Sequence, residues 1–97
     1  MSRLEELIAR SQAGNEEAKE LLVTENSGLI WAVVKRFIGR GTDQEDLYQL
    51  GCLGFLKAVE GFDPEFGTQF STYAVPMIIG EIKRLLRDGN SFTVQKL

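Results

Sequence analysis

The sequence predicts an all-α protein, a compact multi-helix bundle, on three observations. Apolar residues recur at three- and four-residue spacings along most of the chain, as on one face of an α-helix. Helix-opening patterns stand at the heads of those segments, "SRLE" at 2–5 and "TDQE" at 42–45. No run alternates apolar and polar residues in the way a half-buried strand requires. At 97 residues, with 43% apolar and 26% charged side chains, the chain can bury one core and has the composition of an ordinary globular domain.

The elements follow in order. Ser2 with Glu5 forms a capping box that opens a short amphipathic helix through Leu4, Leu7 and Ile8. "AGN" at 13–15 ends it, and Asn15 caps a second helix that turns Ala18, Leu21 and Leu22 inward. From about Glu25 to Ile38 runs the most apolar segment, with Leu29, Trp31, Val33, Val34, Phe37 and Ile38; Gly39 and Gly41 stop it. Trp31 on this helix is expected in the core.

The "TDQE" box opens a fourth helix to about Val59, with Leu47, Leu50 and Phe55 apolar. Gly51 and Gly54 are costly inside a helix, so another backbone is expected to come close there. "GFDPEFGTQ" at 61–69 is turn chemistry. Ser71 or Thr72 then caps a last helix to about Asp88, with Gly89-Asn90 as its stop. Residues 1–90 are the expected domain and 91–97 a tail.

Composition excludes several functions. With no histidine, imidazole chemistry and the commonest metal ligand are absent, and a single cysteine, Cys52, forbids an internal disulfide. The acids Asp43, Glu45 and Asp46 stand in a first turn, where the helix dipole favours them. Glu60, Asp63 and Glu65 lie in a turn with nothing to complete a metal set. No catalytic residue, metal or cofactor is therefore expected, and no small-molecule substrate. There is no run of about 18 apolar residues and no signal-like N-terminus, so the expected location is cytoplasmic, away from membranes. The whole net charge of −3 resides in residues 1–32, and the stretch 80–97 is locally basic through Lys83, Arg84, Arg87 and Lys96. A nucleic-acid partner would have to meet that strip with help from another protein.

The head of the last helix, "FSTYAVPM" at 70–77, carries the functional signal. At helical spacing, Val75, Ile78, Ile79, Ile82, Leu85 and Leu86 form a core face. A second stripe runs Tyr73, Pro76 or Met77, Gly80, Lys83 or Arg84, and Arg87. Rings stack on unpaired bases, cations meet phosphates, and the Ser71 and Thr72 hydroxyls can bond either. Pro76 forfeits a hydrogen bond inside the first turns. The plainer reading makes Phe70 a staple against the core, Ser71 and Thr72 caps, and the arginines a solvated face. Spacing does not decide between the two.

The segments "GLIWAVVKRFIGRG", "DLYQLGCLGFLKAVEGFDP" and "FSTYAVPMIIGEIKRLLRD", in that order, resemble region 2 of the sigma-70 family of bacterial RNA polymerase initiation factors. The likeness is nearest to the sporulation and stress types, sigma-F and sigma-G, and spans about residues 15–90. The resemblance implies a helical domain that docks on the clamp coiled coil of the polymerase β′ subunit and captures non-template bases of the −10 promoter element. It implies polymerase contacts at Asp46 and Gln49, with Leu50, Cys52 and Leu56 nearby. It implies DNA contacts at Phe70, Ser71, Thr72 and Tyr73, with Tyr73 stacking, and at Gly80, Lys83 and Arg84, with Arg87 further along the stripe. It also implies an anti-sigma factor as a regulatory partner.

Pro76 and Met77 stand where housekeeping sigma factors carry a tryptophan pair, Gly80 where they carry a glutamine that reads a base, and Thr68 where they carry a tyrosine. Weaker and more selective promoter melting is expected. Regions 3 and 4 of the family lie beyond these 97 residues. The competing reading is a protein-interaction module, or a sigma-like decoy that binds polymerase or an anti-sigma factor without productive DNA contact. A free-standing helix-turn-helix repressor fits poorly, because that motif needs a turn of three or four residues.

Overall fold

In the computed structural model, the backbone is described for residues 2–96 and the side chains for residues 2–87. Five α-helices make up the architecture: α1 (Arg3–Gln12), α2 (Glu16–Glu25), α3 (Ser27–Val34), α4 (Gln44–Gly61) and α5 (Phe70–Lys96). Short 3-10 turns, Lys35–Phe37 and Pro64–Phe66, follow α3 and α4. No strand occurs among the described residues. No helix among them is long and apolar enough to cross a membrane.

The capping box at Ser2 forms as its sequence requires: Glu5 N–H donates to the Ser2 hydroxyl at 3.1 Å, and Ser2 N–H donates to the Glu5 carboxylate at 3.1 Å. Asn15 accepts from Ala18 N–H at 2.9 Å and starts α2. At α4 the cap is Asp43, one residue later than the "TDQE" box implied, through a longer 3.4 Å bond from Glu45 N–H. The expected third helix is two pieces, because α2 persists to Glu25 and α3 tightens into the 3-10 turn at Lys35. The stop expected at Gly89-Asn90 is not realised: α5 runs through both residues to Lys96.

α4 is the hub, packing against all four other α-helices. Its residues Leu47, Phe55, Ala58 and Val59 are fully buried, together with Leu22, Ile30, Val34, Ile78 and Ile82 from α2, α3 and α5. Gly51 and Gly54 of α4 both face neighbours. A Cβ on Gly54 would lie 2.7 Å from the Ile78 Cα and 2.8 Å from the Met77 carbonyl oxygen, so the backbone of α5 touches α4 there. A Cβ on Gly51 would meet only side-chain methyls, those of Val34 and Ile30 at 2.8 and 2.9 Å and of Ile78 at 3.7 Å.

The C-terminal end of α4 is closed by a residue from α1. Gln12 donates its amide to the carbonyls of Val59 at 2.7 Å and Phe62 at 2.9 Å, which supplies partners that a helix end otherwise lacks. Trp31 is half-buried rather than deep in the core, with its ring stacked on Tyr48 at 4.5 Å between centroids.

Candidate nucleic-acid interface and docking face

The head of α5 is anchored by aromatic rings. Phe70 is 4% exposed and meets Phe55 and Phe62 edge-to-face, at 5.5 and 5.2 Å between ring centroids. Its ring packs in the core, where the plainer reading of this segment puts it. A ring committed to the core gains burial that stacking on a base would forfeit, and its role in this structure is to hold the helix mouth in position.

Tyr73 is half-buried and tilted against Phe62 at 5.8 Å. Its hydroxyl lies over Gly61, so close that a Cβ there would stand 2.6 Å from it. Tyr73 therefore sits on the flank of α5 that faces α4. Ser71 lies on the opposite flank and Thr72 between them, both exposed. The rings and hydroxyls of "FSTY" do not converge on one point.

They border two places instead. On the Ser71 side a groove of about 300 Å³ has Leu4, Leu29, Phe62 and Phe70 in its walls, with Ser2, Glu5, Asn26, Thr68, Gln69 and Ser71 as polar groups. Its lining comes from α1, the α2–α3 junction, the α4–α5 connection and the α5 head. Sequence reasoning missed Asn26 and Leu29 as site residues, because it placed both inside one long helix. The second place is the outer row of α5: Thr72, Pro76, Gly80, Lys83 and Arg87, all exposed. At 1.5 Å per residue this row spans about 22 Å. Pro76 has no N–H to offer the Thr72 carbonyl, which leaves an acceptor on the exposed side of the first turns. Nothing lies within 4 Å of a Cβ placed on Gly80, so a flat strip of backbone interrupts the row. Met77 is half-buried, on the flank toward α4.

Arg84 does not belong to the outer row. It bonds Glu81 at 2.9 Å, and Glu81 also accepts from Lys57 of α4. Glu81 is buried at 9% exposure, a carboxylate on the core side of the helix that its sequence position does not announce. The core face itself is Phe70, Ala74, Ile78, Glu81 and Ile82; Val75, Ile79, Leu85 and Leu86, expected in it, are only half-buried. Lys96, from the expected basic strip, and Asp88, the expected end of the helix, lie outside the described side chains.

The five residues expected to contact polymerase share α4 but border two grooves. Asp46, Gln49 and Leu50 line one of about 430 Å³ toward α5, together with Leu53 and Leu85. Cys52 and Leu56 line another of about 560 Å³ toward α2, rimmed by Glu16 and Glu20. Burial raises the Cys52 thiol above its ordinary pKa, although a hydrogen bond with Tyr48 opposes the shift. Burial likewise raises Tyr48, with its bond to Cys52 adding to it. Cys52 is thus a protonated packing group at neutral pH and not a reactive thiolate. Among the described residues no group of three or more acidic or cysteine side chains could hold a metal ion.

Comparison with known proteins agrees with the residue pattern. The chain matches the family Sigma-70 region 2 over residues 22–92. It is 50% identical over 93 residues to the RNA polymerase sigma-F factor of Bacillus subtilis (strain 168), covering 96% of this chain and 36% of that protein. It is 45% identical over 93 residues to the RNA polymerase sigma-G factor of Clostridium acetobutylicum, again 96% of this chain and 36% of the relative. The RNA polymerase sigma-B factor of Bacillus subtilis is 42% identical over 74 residues, 76% of this chain and 28% of its own length. The chain thus spans about a third of the length of these relatives.

Proposed function

Because the chain belongs to the sigma-70 family through its region 2, in the sigma-F and sigma-G type, we propose that it is the transcription-initiation module of such a factor. It docks through α4 on the clamp coiled coil of the polymerase β′ subunit. So positioned, it captures unpaired non-template bases of the −10 element at the head of α5 and follows the adjoining phosphates along the outer row. It binds and positions, and performs no chemical step.

The observation that carries this reading is the groove beside Ser71. It joins an apolar wall to an amide and a hydroxyl, the combination that accepts the face and the edge of a base out of its stack. Lys83 and Arg87 lie further along the same helix with exposed side chains, where phosphates would pass. Tyr73, half open on the other flank, is the ring available to a second base.

Measured anisotropy of a fluorescent single-stranded −10 oligonucleotide, with core polymerase present, tests the proposal. Tyr73→Ala and Asn26→Ala should each weaken binding by about five-fold or more, the lower range for one stacked base or one lost polar contact. Lys83→Ala should instead reduce the salt dependence of binding. An oligonucleotide that binds all three variants as it binds the parent, while polymerase is still bound, would refute base capture. The chain would then be a protein-interaction module. The anti-sigma factor, which the family likeness suggests, would be sought by the same titration with polymerase as competitor.

A further inference from the structure

Glu81 is an acid on the core side of α5, 9% exposed, and it holds two cations at once. Lys57 of α4 meets one carboxylate oxygen at 2.5 Å, and Arg84 of α5 meets the other at 2.9 Å. Packing alone does not call for this arrangement. A buried carboxylate is costly to desolvate, and an apolar side chain of similar volume often serves stability as well or better. Both cations are about half open to water, with side-chain exposures of 44% for Lys57 and 55% for Arg84. Without the acid, two positive groups would stand close together beside the helix that carries the outer row.

We propose that Glu81 is a selectivity residue: its carboxylate takes the place of a DNA phosphate on Lys57 and Arg84, and so keeps the chain from holding DNA of any sequence. The inference rests on the DNA-binding reading above and deepens it, by adding a positioning residue that acts through two cations and touches no DNA itself. Attraction to phosphates carries no sequence information and grows with each cation offered, whereas contacts to bases specify. Discrimination is the ratio of specific to non-specific binding, so a chain that holds only a few bases gains selectivity by withholding cations from phosphates. Glu81 withholds two of them inside the fold, and the trio carries a charge of +1 where the cations alone would carry +2.

The test is titration of the labelled chain with a duplex of scrambled sequence at two salt concentrations, beside binding of the −10 oligonucleotide with core polymerase present. Glu81→Gln keeps the shape of the side chain and removes its charge, and circular dichroism melts show whether it folds. Glu81→Met, apolar and of similar length, repeats the test if Glu81→Gln melts early. Either variant should bind the scrambled duplex about three-fold or more tightly at the lower salt, with a slope of log affinity against log salt steeper by about one. The preference for the −10 sequence should fall by a similar factor. Adding Arg84→Gln should remove most of the gain, whereas Arg84→Gln in the parent should change scrambled binding by less than about two-fold, because Glu81 already holds that cation. Glu17→Gln makes the same change in net charge on the exposed side of α2 and should leave the parent's slope. If Glu81→Gln and Glu81→Met bind scrambled duplex with the parent's affinity and slope, this proposal fails, while base capture stands on its own oligonucleotide result. A gain that survives both Arg84→Gln and Lys57→Gln overturns it too, since the charge would then act without the two cations. Should the parent fail to bind the −10 oligonucleotide while polymerase is bound, the DNA-binding reading falls and this proposal falls with it.

Discussion

Replacing Gly54 by alanine tests how close α4 and α5 lie. The added Cβ would stand 2.7 Å from the Ile78 Cα, 2.8 Å from the Met77 carbonyl oxygen and 3.1 Å from the Ile78 nitrogen. Carbon atoms prefer separations of about 3.5–4.0 Å, so α5 must retreat by roughly 1 Å. No rotamer change can relieve the contact, because all three atoms are backbone. Overpacking of this kind costs about 1–3 kcal/mol and sometimes more, and a rigid neighbour puts Gly54→Ala at the upper end. The better helix propensity of alanine returns about 1 kcal/mol. The net loss is then about 2 kcal/mol, or roughly 8–16 °C in Tm for a domain of this size. Gly80→Ala is the internal control. It has the same propensity gain and nothing within 4 Å of its new Cβ, so its Tm should rise by about 4–8 °C. Gly51→Ala, which meets only side-chain methyls, of Val34, Ile30 and Ile78, should fall between the two. Thermal melts by circular dichroism read all three. A Gly54→Ala protein as stable as the parent would mean that the two backbones do not touch, and the rigid α4–α5 unit would have to be abandoned.

Three further outcomes follow from single contacts. Gln12→Ala removes the donor that serves the Val59 and Phe62 carbonyls, and should cost about 1–2 kcal/mol in urea denaturation at unchanged slope. The raised pKa values of Cys52 and Tyr48 mean that both are held protonated in the fold, Cys52 mainly by burial and Tyr48 by burial and their mutual bond. Their stabilisation is complete below the ordinary thiol pKa and is lost as pH climbs through the folded values, so Tm should decline above about pH 8.5 and less steeply in Cys52→Ser. Glu25 titrates below its ordinary value because Arg3 hydrogen-bonds it; its contribution is present above the ordinary carboxylate pKa and fades as pH falls through the folded one. In Arg3→Ala its NMR titration midpoint should move up, with Tm almost unchanged because the pair is exposed.

What the sequence made legible were features whose causes are local. Ser2 with Glu5 and Asn15 with Ala18 lie within one turn of each other, so their caps could be read directly. Gly54 announced a close neighbour because two glycines inside a helix are otherwise a cost, although only the structure names Ile78. The inward face of α5 was placed off its true line for a definite reason. Val75, Ile79 and Leu86 are as apolar as Ile78 and Ile82, and the small Ala74 gave no hint that the buried row runs through it. Glu81 was illegible because its partner Lys57 is 24 residues away on another helix. The groove at the helix mouth was illegible for the same reason: Leu4, Asn26 and Ser71 come from three separate elements. Chemistry at the helix head could be read, but which side each residue faces depends on how α5 rolls against α4.

That roll ties the two proposed surfaces together. Phe70 is pinned to Phe55 of α4, Tyr73 lies over Gly61, and the backbone of α5 meets Gly54, so the α5 head is fixed to α4 at three levels. On the proposed reading, a partner docked on α4 therefore sets the position of the groove beside Ser71 without any rearrangement of the domain. The free chain carries a net charge of −3 and has one of its α5 cations drawn off by Glu81, so long-range attraction to DNA is weak. On the proposed reading, affinity for the promoter comes mostly from delivery at high effective concentration by a polymerase that holds α4. On this account, tethering the −10 strand to core polymerase should rescue a variant that lacks the Lys83 charge, whereas it cannot rescue one whose α4 and α5 have been pried apart.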